Sequence, residues 1–115
     1  MTYQEYRSQK NELQNQINEL DKEWTKNSCA SYGKNIGKYY AMRENNMEFG
    51  KITNFNENNA DYYCNEVSVD SNGNLYYSDF ETYGVDYINN NARFITEDEF
   101  YELYDKAVKN LRDKF

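Results

Sequence analysis

At 115 residues the chain has the length of one ordinary domain, enough to bury a core without disulfide staples. Mean hydropathy is −1.16, yet 17% of the residues are aromatic and thirteen are Tyr, which argues against the aromatic-poor composition of a disordered chain. The formal net charge of −7 disfavours direct binding to nucleic-acid phosphates, and the absence of His removes the commonest general base and metal ligand.

The first segment, MTYQEYRSQK, lacks the apolar stretch of a secretory signal, and no apolar run approaches the roughly 20 residues of a membrane span. A cytoplasmic protein with no membrane partner is expected. Cys29 and Cys64, far apart in the chain, are then expected as free thiols. Thr2 followed by Glu5 forms a capping box. Tyr3, Tyr6, Leu13, Ile17, Leu20 and Trp24 recur three and four apart, with Lys10 interrupting, and predict a helix over 1–26. A loop over 27–33 is expected to end it. Its apolar stripe is expected to pack on the sheet or on the last helix. The alternative is self-association through Leu13, Ile17 and Leu20, with Ile17 at heptad position a and the two leucines at d, which would suit a parallel homodimer. The flanking e and g positions, Arg7, Gln9, Gln14, Gln16, Asp21 and Glu23, carry few charges to specify such a pairing.

Residues 36–95 change character. Short runs of Tyr, Phe, Val and Ile alternate with Asn- and Gly-rich turns, predicting strands at 36–43, 47–55, 61–69 and 74–81, and a fifth at 85–88 or 92–95. Short connections favour an antiparallel meander. Residues 97–114 predict a second helix, opened by the capping box Thr96–Glu99 and striped by Phe100, Leu103, Tyr104, Ala107, Val108, Leu111 and Phe115. The expected fold is therefore one α+β domain over 1–115: a long N-terminal helix, a four- to five-stranded antiparallel meander sheet and a C-terminal amphipathic helix. Its expected core holds Leu13, Ile17, Leu20, Val67, Val69, Tyr76, Phe80, Phe100, Tyr104, Ala107 and Leu111.

A type I′ turn at Asn72-Gly73 would set Glu66 opposite Asp79, with Glu81 on the diagonal and Tyr77 on the same face. Val67, Val69, Tyr76 and Phe80 would face the core. Like charges opposite one another destabilise a sheet. The plainest reading of this cluster is a solvated face relieved by a nearby cation; a surface for a basic partner and a hard-cation site are the alternatives. Asp70-Ser71-Asn72-Gly73-Asn74 departs from the EF-hand pattern, because Leu75 stands where its glycine belongs. We expect no metal, no cofactor and no catalytic residue, since Ser and Cys have no imidazole to activate them.

Residues 61–102 hold Arg93 alone against ten acids, a net −9. A folded acidic surface attracts proteins whose own sites are basic. The expected partner-binding residues are Glu66, Asp79, Glu81, Tyr77, Asp86, Glu97, Asp98 and Glu102. With its short Tyr-rich strands and the helix start Ile95-Thr96-Glu97-Asp98-Glu99-Phe100-Tyr101-Glu102-Leu103-Tyr104, the chain resembles the small acidic Asn/Tyr-rich proteins of phages and mobile elements. Some of these are anti-CRISPR or other anti-defence inhibitors. The resemblance implies a non-catalytic inhibitory module in the host cytoplasm that occupies a basic, nucleic-acid-binding protein site. It carries over no individual residue. The alternative is a structural or assembly protein that oligomerises through its first helix.

Overall fold

The computed structural model describes the backbone of residues 1–115 and the side chains of all but residues 28–30. Cys29 therefore lies outside the described side chains, whereas Cys64 is a free, buried thiol. The chain runs as α1 (Tyr3–Ser31), a 3-10 turn (Gly33–Asn35), β1 (Tyr39–Met42), β2 (Glu48–Asn56), β3 (Asp61–Val69), β4 (Leu75–Gly84), α2 (Val85–Asn91), β5 (Ala92–Ile95) and α3 (Glu97–Arg112). This is the expected α+β arrangement. β1 to β4 form the meander, and β5 returns to pair with β1, so the antiparallel sheet has the order β4-β3-β2-β1-β5.

Thr2 caps α1 as its sequence predicts: its Oγ1 accepts from the Glu5 N–H at 3.1 Å, and Glu5 Oε2 accepts from the Thr2 N–H at 3.4 Å. The helix does not stop at residue 26 but runs to Ser31. Asn, Ser and Cys only weaken a helix, whereas Gly is a strong breaker, and the helix ends just ahead of Gly33. Residues 85–88 belong to α2 rather than to a strand. Val85 and Ile88 are both buried there, and their spacing of three suits a helix face.

The sheet is covered on both faces. Tyr40, Met42, Ile52, Phe55, Tyr62 and Cys64 form one core with Val85 and Ile88 of α2. On the opposite face Ala41, Phe49 and Val67 meet Ala107 of α3, with Phe100 and Leu103 packed alongside. The Phe100 ring sits 4.8 Å from Tyr39 and 5.6 Å from Phe49. A bulge between Ile52 and Asn54 lets Ile52 and Phe55 share one core despite their spacing of three, since the extra residue flips the strand's alternation. α3 opens on the expected capping box, with Thr96 Oγ1 accepting from the Glu99 N–H at 3.1 Å.

Several expected core residues lie elsewhere. Leu13, Ile17 and Leu20 are exposed, because α1 touches the body mainly through the 3-10 turn and projects from it, giving the molecule extents of 77 × 25 × 21 Å. Tyr76 and Phe80 are exposed on the edge strand β4. Phe80 stands in an irregularity of register opposite Asn65, and Tyr76 is turned to the Glu66 face because the β3–β4 register near the turn is one residue away from a type I′ hairpin. Val69 pairs with Leu75 and Val67 with Tyr77. The cause is Asp70, whose Oδ1 accepts from the N–H groups of Asn72 and Asn74 at 2.9 Å each. Its carbonyl accepts from the Gly73 N–H at 3.0 Å. The turn is thus centred on Ser71-Asn72, with Gly73 following at φ +78°, a left-handed position that glycine occupies without steric cost. Tyr104 lies on the exposed flank of α3, and Leu111 is half-buried near the end where Lys114 donates to the Asn72 carbonyl.

Candidate functional site

Two places in the molecule depart from a plain packed domain: a carboxyl inside the sheet and an apolar stripe outside it. The first is built on one row of strand partners, Tyr40 on β1, Gly50 on β2 and Glu66 on β3. A Cβ at Gly50 would lie 2.2 Å from the Asn65 carbonyl oxygen and 2.9 Å from the Tyr40 hydroxyl. Glycine there is what lets the Tyr40 ring cross β2. Its hydroxyl donates to Glu66 Oε1 at 3.0 Å, and the Tyr83 hydroxyl lies 3.0 and 2.9 Å from the two Glu66 oxygens. Tyr83 reaches inward because a second bulge, between Cys64 and Glu66, sets Asp79 and Phe80 against Asn65 alone.

Glu66 is only 3% exposed. Burial raises its carboxyl above the ordinary value, and the Tyr83 and Tyr40 hydroxyls partly offset the rise. Burial likewise raises both tyrosines far above their ordinary value, reinforced by the neighbouring Glu66 charge, so they remain donors across the accessible pH range. Burial pushes the Cys64 thiol up to about 11, which keeps it protonated and unreactive. Every buried polar side-chain atom among the described residues has a hydrogen-bond partner. The cluster is chemically closed: its groups satisfy one another and present no reactive thiolate or free base.

The expected acidic surface is dispersed. Glu66 lies inside the sheet opposite Ser78 rather than Asp79, so it is not a surface residue for a partner. Asp79 is exposed in the bulge and Glu81 is half-buried across from Cys64. Tyr77 is exposed but shares its face with Val67, away from Glu66. Asp86 sits on α2, while Glu97, Asp98 and Glu102 are exposed on α3, which packs on the other face of the sheet. Glu81 stays on the diagonal from Glu66, where its charge helps raise the Glu66 carboxyl, but Asp79 is turned away into the bulge, and the eight residues do not form one patch. No group of three or more His, Cys, Asp or Glu able to hold a metal ion occurs among the described residues.

The second place is the α1 stripe. Leu13, Ile17 and Leu20 are 59%, 50% and 66% exposed. Trp24 ends the exposed stripe and roots the helix: its Nε1–H donates to the Glu57 carbonyl at 3.1 Å, and its ring lies 6.3 Å from that of Tyr32. Tyr32 continues to Phe55 at 6.1 Å, and Phe55 to Tyr62 at 5.7 Å. An aromatic ladder therefore ties the helix root to the core, leaving the turns beyond it free of tertiary packing. The Tyr62 hydroxyl accepts from Asn35 Nδ2 at 2.8 Å and donates to the Tyr32 carbonyl at 3.3 Å. The ion pair Lys22–Glu19, 3.5 Å long and exposed at both ends, is the only one among the described residues.

The helix stripe was legible from spacing, although its exposure was not. Tyr40 and Tyr83 carried no separate mark among so many tyrosines. Gly50 did carry one, because a glycine inside a strand signals close approach of another group. Among the described residues no helix is long and apolar enough to cross a membrane. Comparison with protein-family models, curated proteins and solved structures gave no match.

Proposed function

We propose that this protein is a non-catalytic assembly module whose first helix joins copies of the chain through Leu13, Ile17 and Leu20. The observation that carries this reading is the exposure of that seam on a helix of 29 residues, in a molecule whose body is covered on both sheet faces. Helices gain most of their stability from burying an apolar face, and the stretch of α1 that carries Leu13, Ile17 and Leu20 leaves that face exposed. Each large apolar side chain left in water forgoes roughly 1.5–3 kcal/mol that burial would return, so three at the centre of one stripe favour pairing. Light scattering on the full chain and on Ile17→Lys tests the reading. The parent is expected as a dimer and the variant as a soluble monomer with an unchanged body.

A second reading, an inhibitory surface for a basic nucleic-acid-binding protein of the anti-defence type, is supported by the edge strand β4. There Phe80, 82% exposed, lies between Asp79 and Glu81, and Tyr77 is exposed nearby. Such an interface would use charge to accelerate association and would weaken with salt. Binding to an immobilised basic nucleic-acid-binding protein, compared between the parent and Asp79→Asn/Glu81→Gln at low and high salt, tests it. Equal retention by both proteins would set it aside.

A further inference from the structure

The seam on α1 has a direction written into its charges. In the heptad that places Tyr3, Lys10, Ile17 and Trp24 at a and Tyr6, Leu13 and Leu20 at d, the charged residues at or beside the seam separate by sign. Arg7 and Lys10 occupy the N-terminal half, and Asp21 and Glu23 the C-terminal half. None of the four makes an ion pair within the chain among the described residues. Charges flanking a helix seam set partner orientation, and these cannot be complemented by a parallel copy. A parallel pair would set Lys10 directly against the partner's Lys10. It would also face Asp21 with the partner's Gln16, and Arg7 with the partner's Thr2.

We propose that α1 pairs with α1 of a second copy of this chain in antiparallel orientation. This rests on the assembly reading above and adds the geometry of the contact. With the crossing point between Leu13 and Ile17, Leu13 meets the partner's Ile17, Lys10 meets the partner's Leu20 and Tyr6 meets the partner's Trp24. Arg7 then flanks the partner's Asp21, and by two-fold symmetry the same pair forms twice. Lys10 lies along the partner's Leu20 and extends its ammonium toward the partner's Asp21, as a long cationic side chain does at an apolar seam. The interface is isologous, so it closes at two copies.

The shape of the molecule agrees with this. A helix of 29 residues is about 43 Å long at 1.5 Å per residue, and the body is attached at one end of it. Antiparallel pairing puts the two bodies at opposite ends of the rod, whereas parallel pairing would crowd both around one end. It also brings the partner's Tyr3 and Tyr6 to the root of α1. There a cleft of about 220 Å³ opens beside Trp24, lined also by Tyr32, Ala60 and Val85. The seam thus continues into a cleft with an aromatic wall, next to the place where the opposing helix presents aromatic side chains.

The experiment is a charge-swap cycle on the full chain, read by the dimer dissociation constant. Arg7→Glu sets two carboxylates against each other at both symmetric contacts and is expected to raise the constant about tenfold. Adding Asp21→Arg to the same chain is expected to restore most of the loss, because an antiparallel pair places these positions side by side. A spin label on Gln4→Cys, in a Cys29→Ser background, reads orientation independently. The two labels are expected about 30 Å or more apart along an antiparallel rod and well below that in a parallel one. A dimeric parent with no restoration and closely spaced labels would overturn the orientation and leave the assembly reading standing. A parent that is monomeric at millimolar concentration would overturn both.

Discussion

The sheet and the first helix treat the hydrophobic effect in opposite ways. In the sheet even a carboxyl is taken inside and satisfied: Glu66 accepts from two tyrosine hydroxyls, one of which crosses a neighbouring strand at Gly50. In the helix three large aliphatic side chains remain at least half in water. The body builds two packed cores within one chain, although Tyr77 and Phe80 on β4 stay in water; Leu13, Ile17 and Leu20 of the rod join neither core. Buried polar groups are tolerated only when fully partnered, so the sheet's oddity is internally resolved. An exposed apolar stripe has no internal remedy and points outward.

Breaking the body should have the largest effects. Gly50→Ala places a methyl group against the Asn65 carbonyl and the Tyr40 hydroxyl, neither of which can yield without disturbing the Tyr40–Glu66 bond. We expect a loss of about 3 kcal/mol, measured by denaturant melts. Ile52→Ala, in a fully buried position, should cost about 2–5 kcal/mol. In the same melts Leu13→Ala is expected to leave the body's unfolding almost unchanged at concentrations where the chain is monomeric. The three substitutions together draw the line between rod and body.

That line was only partly visible in the sequence. The strands, both capping boxes and the C-terminal helix followed from local chemistry, because turn residues, β-branched runs and the Thr-x-x-Glu pattern act over a few positions. What escaped depends on long-range placement or on one competing side chain. Asp70, by capping its own turn through two backbone N–H groups, shifts the hairpin by one residue. Period-two alternation then sends Tyr76 and Tyr77 to the faces opposite those expected. The second bulge restores the expected register only beyond Cys64, where Cys64 pairs with Glu81 and Asp61 with Gly84. The α1 stripe has the same spacing whether it packs inward or outward, so heptad periodicity alone could not choose.

A gentler effect follows from Glu66. Its carboxyl binds a proton more tightly in the folded protein than in the unfolded chain. Its contribution to stability is therefore fully present below the ordinary Glu range of about 4.3 and is lost as pH rises through the raised folded value. Glu66→Gln removes that titration. The variant's melting temperature, relative to the parent, is expected to rise as pH climbs from the ordinary Glu range and to level off once the folded carboxyl has ionised. A constant difference across that climb would mean the carboxylate is ionised at no cost inside the sheet. Smallest of all should be Asp79→Asn, an exposed substitution expected to change stability by less than about 0.5 kcal/mol.

Whether the rod is finished by a second copy is decided most directly by sedimentation equilibrium of the unmodified chain across a concentration series. The mass is expected to rise from 13.8 kDa to twice that value and then stop, because a two-fold seam closes. Ile17→Lys is predicted to hold the monomer mass throughout. A parent chain that stays at the monomer mass at every concentration, or one that continues past the dimer, would contradict the two-fold seam.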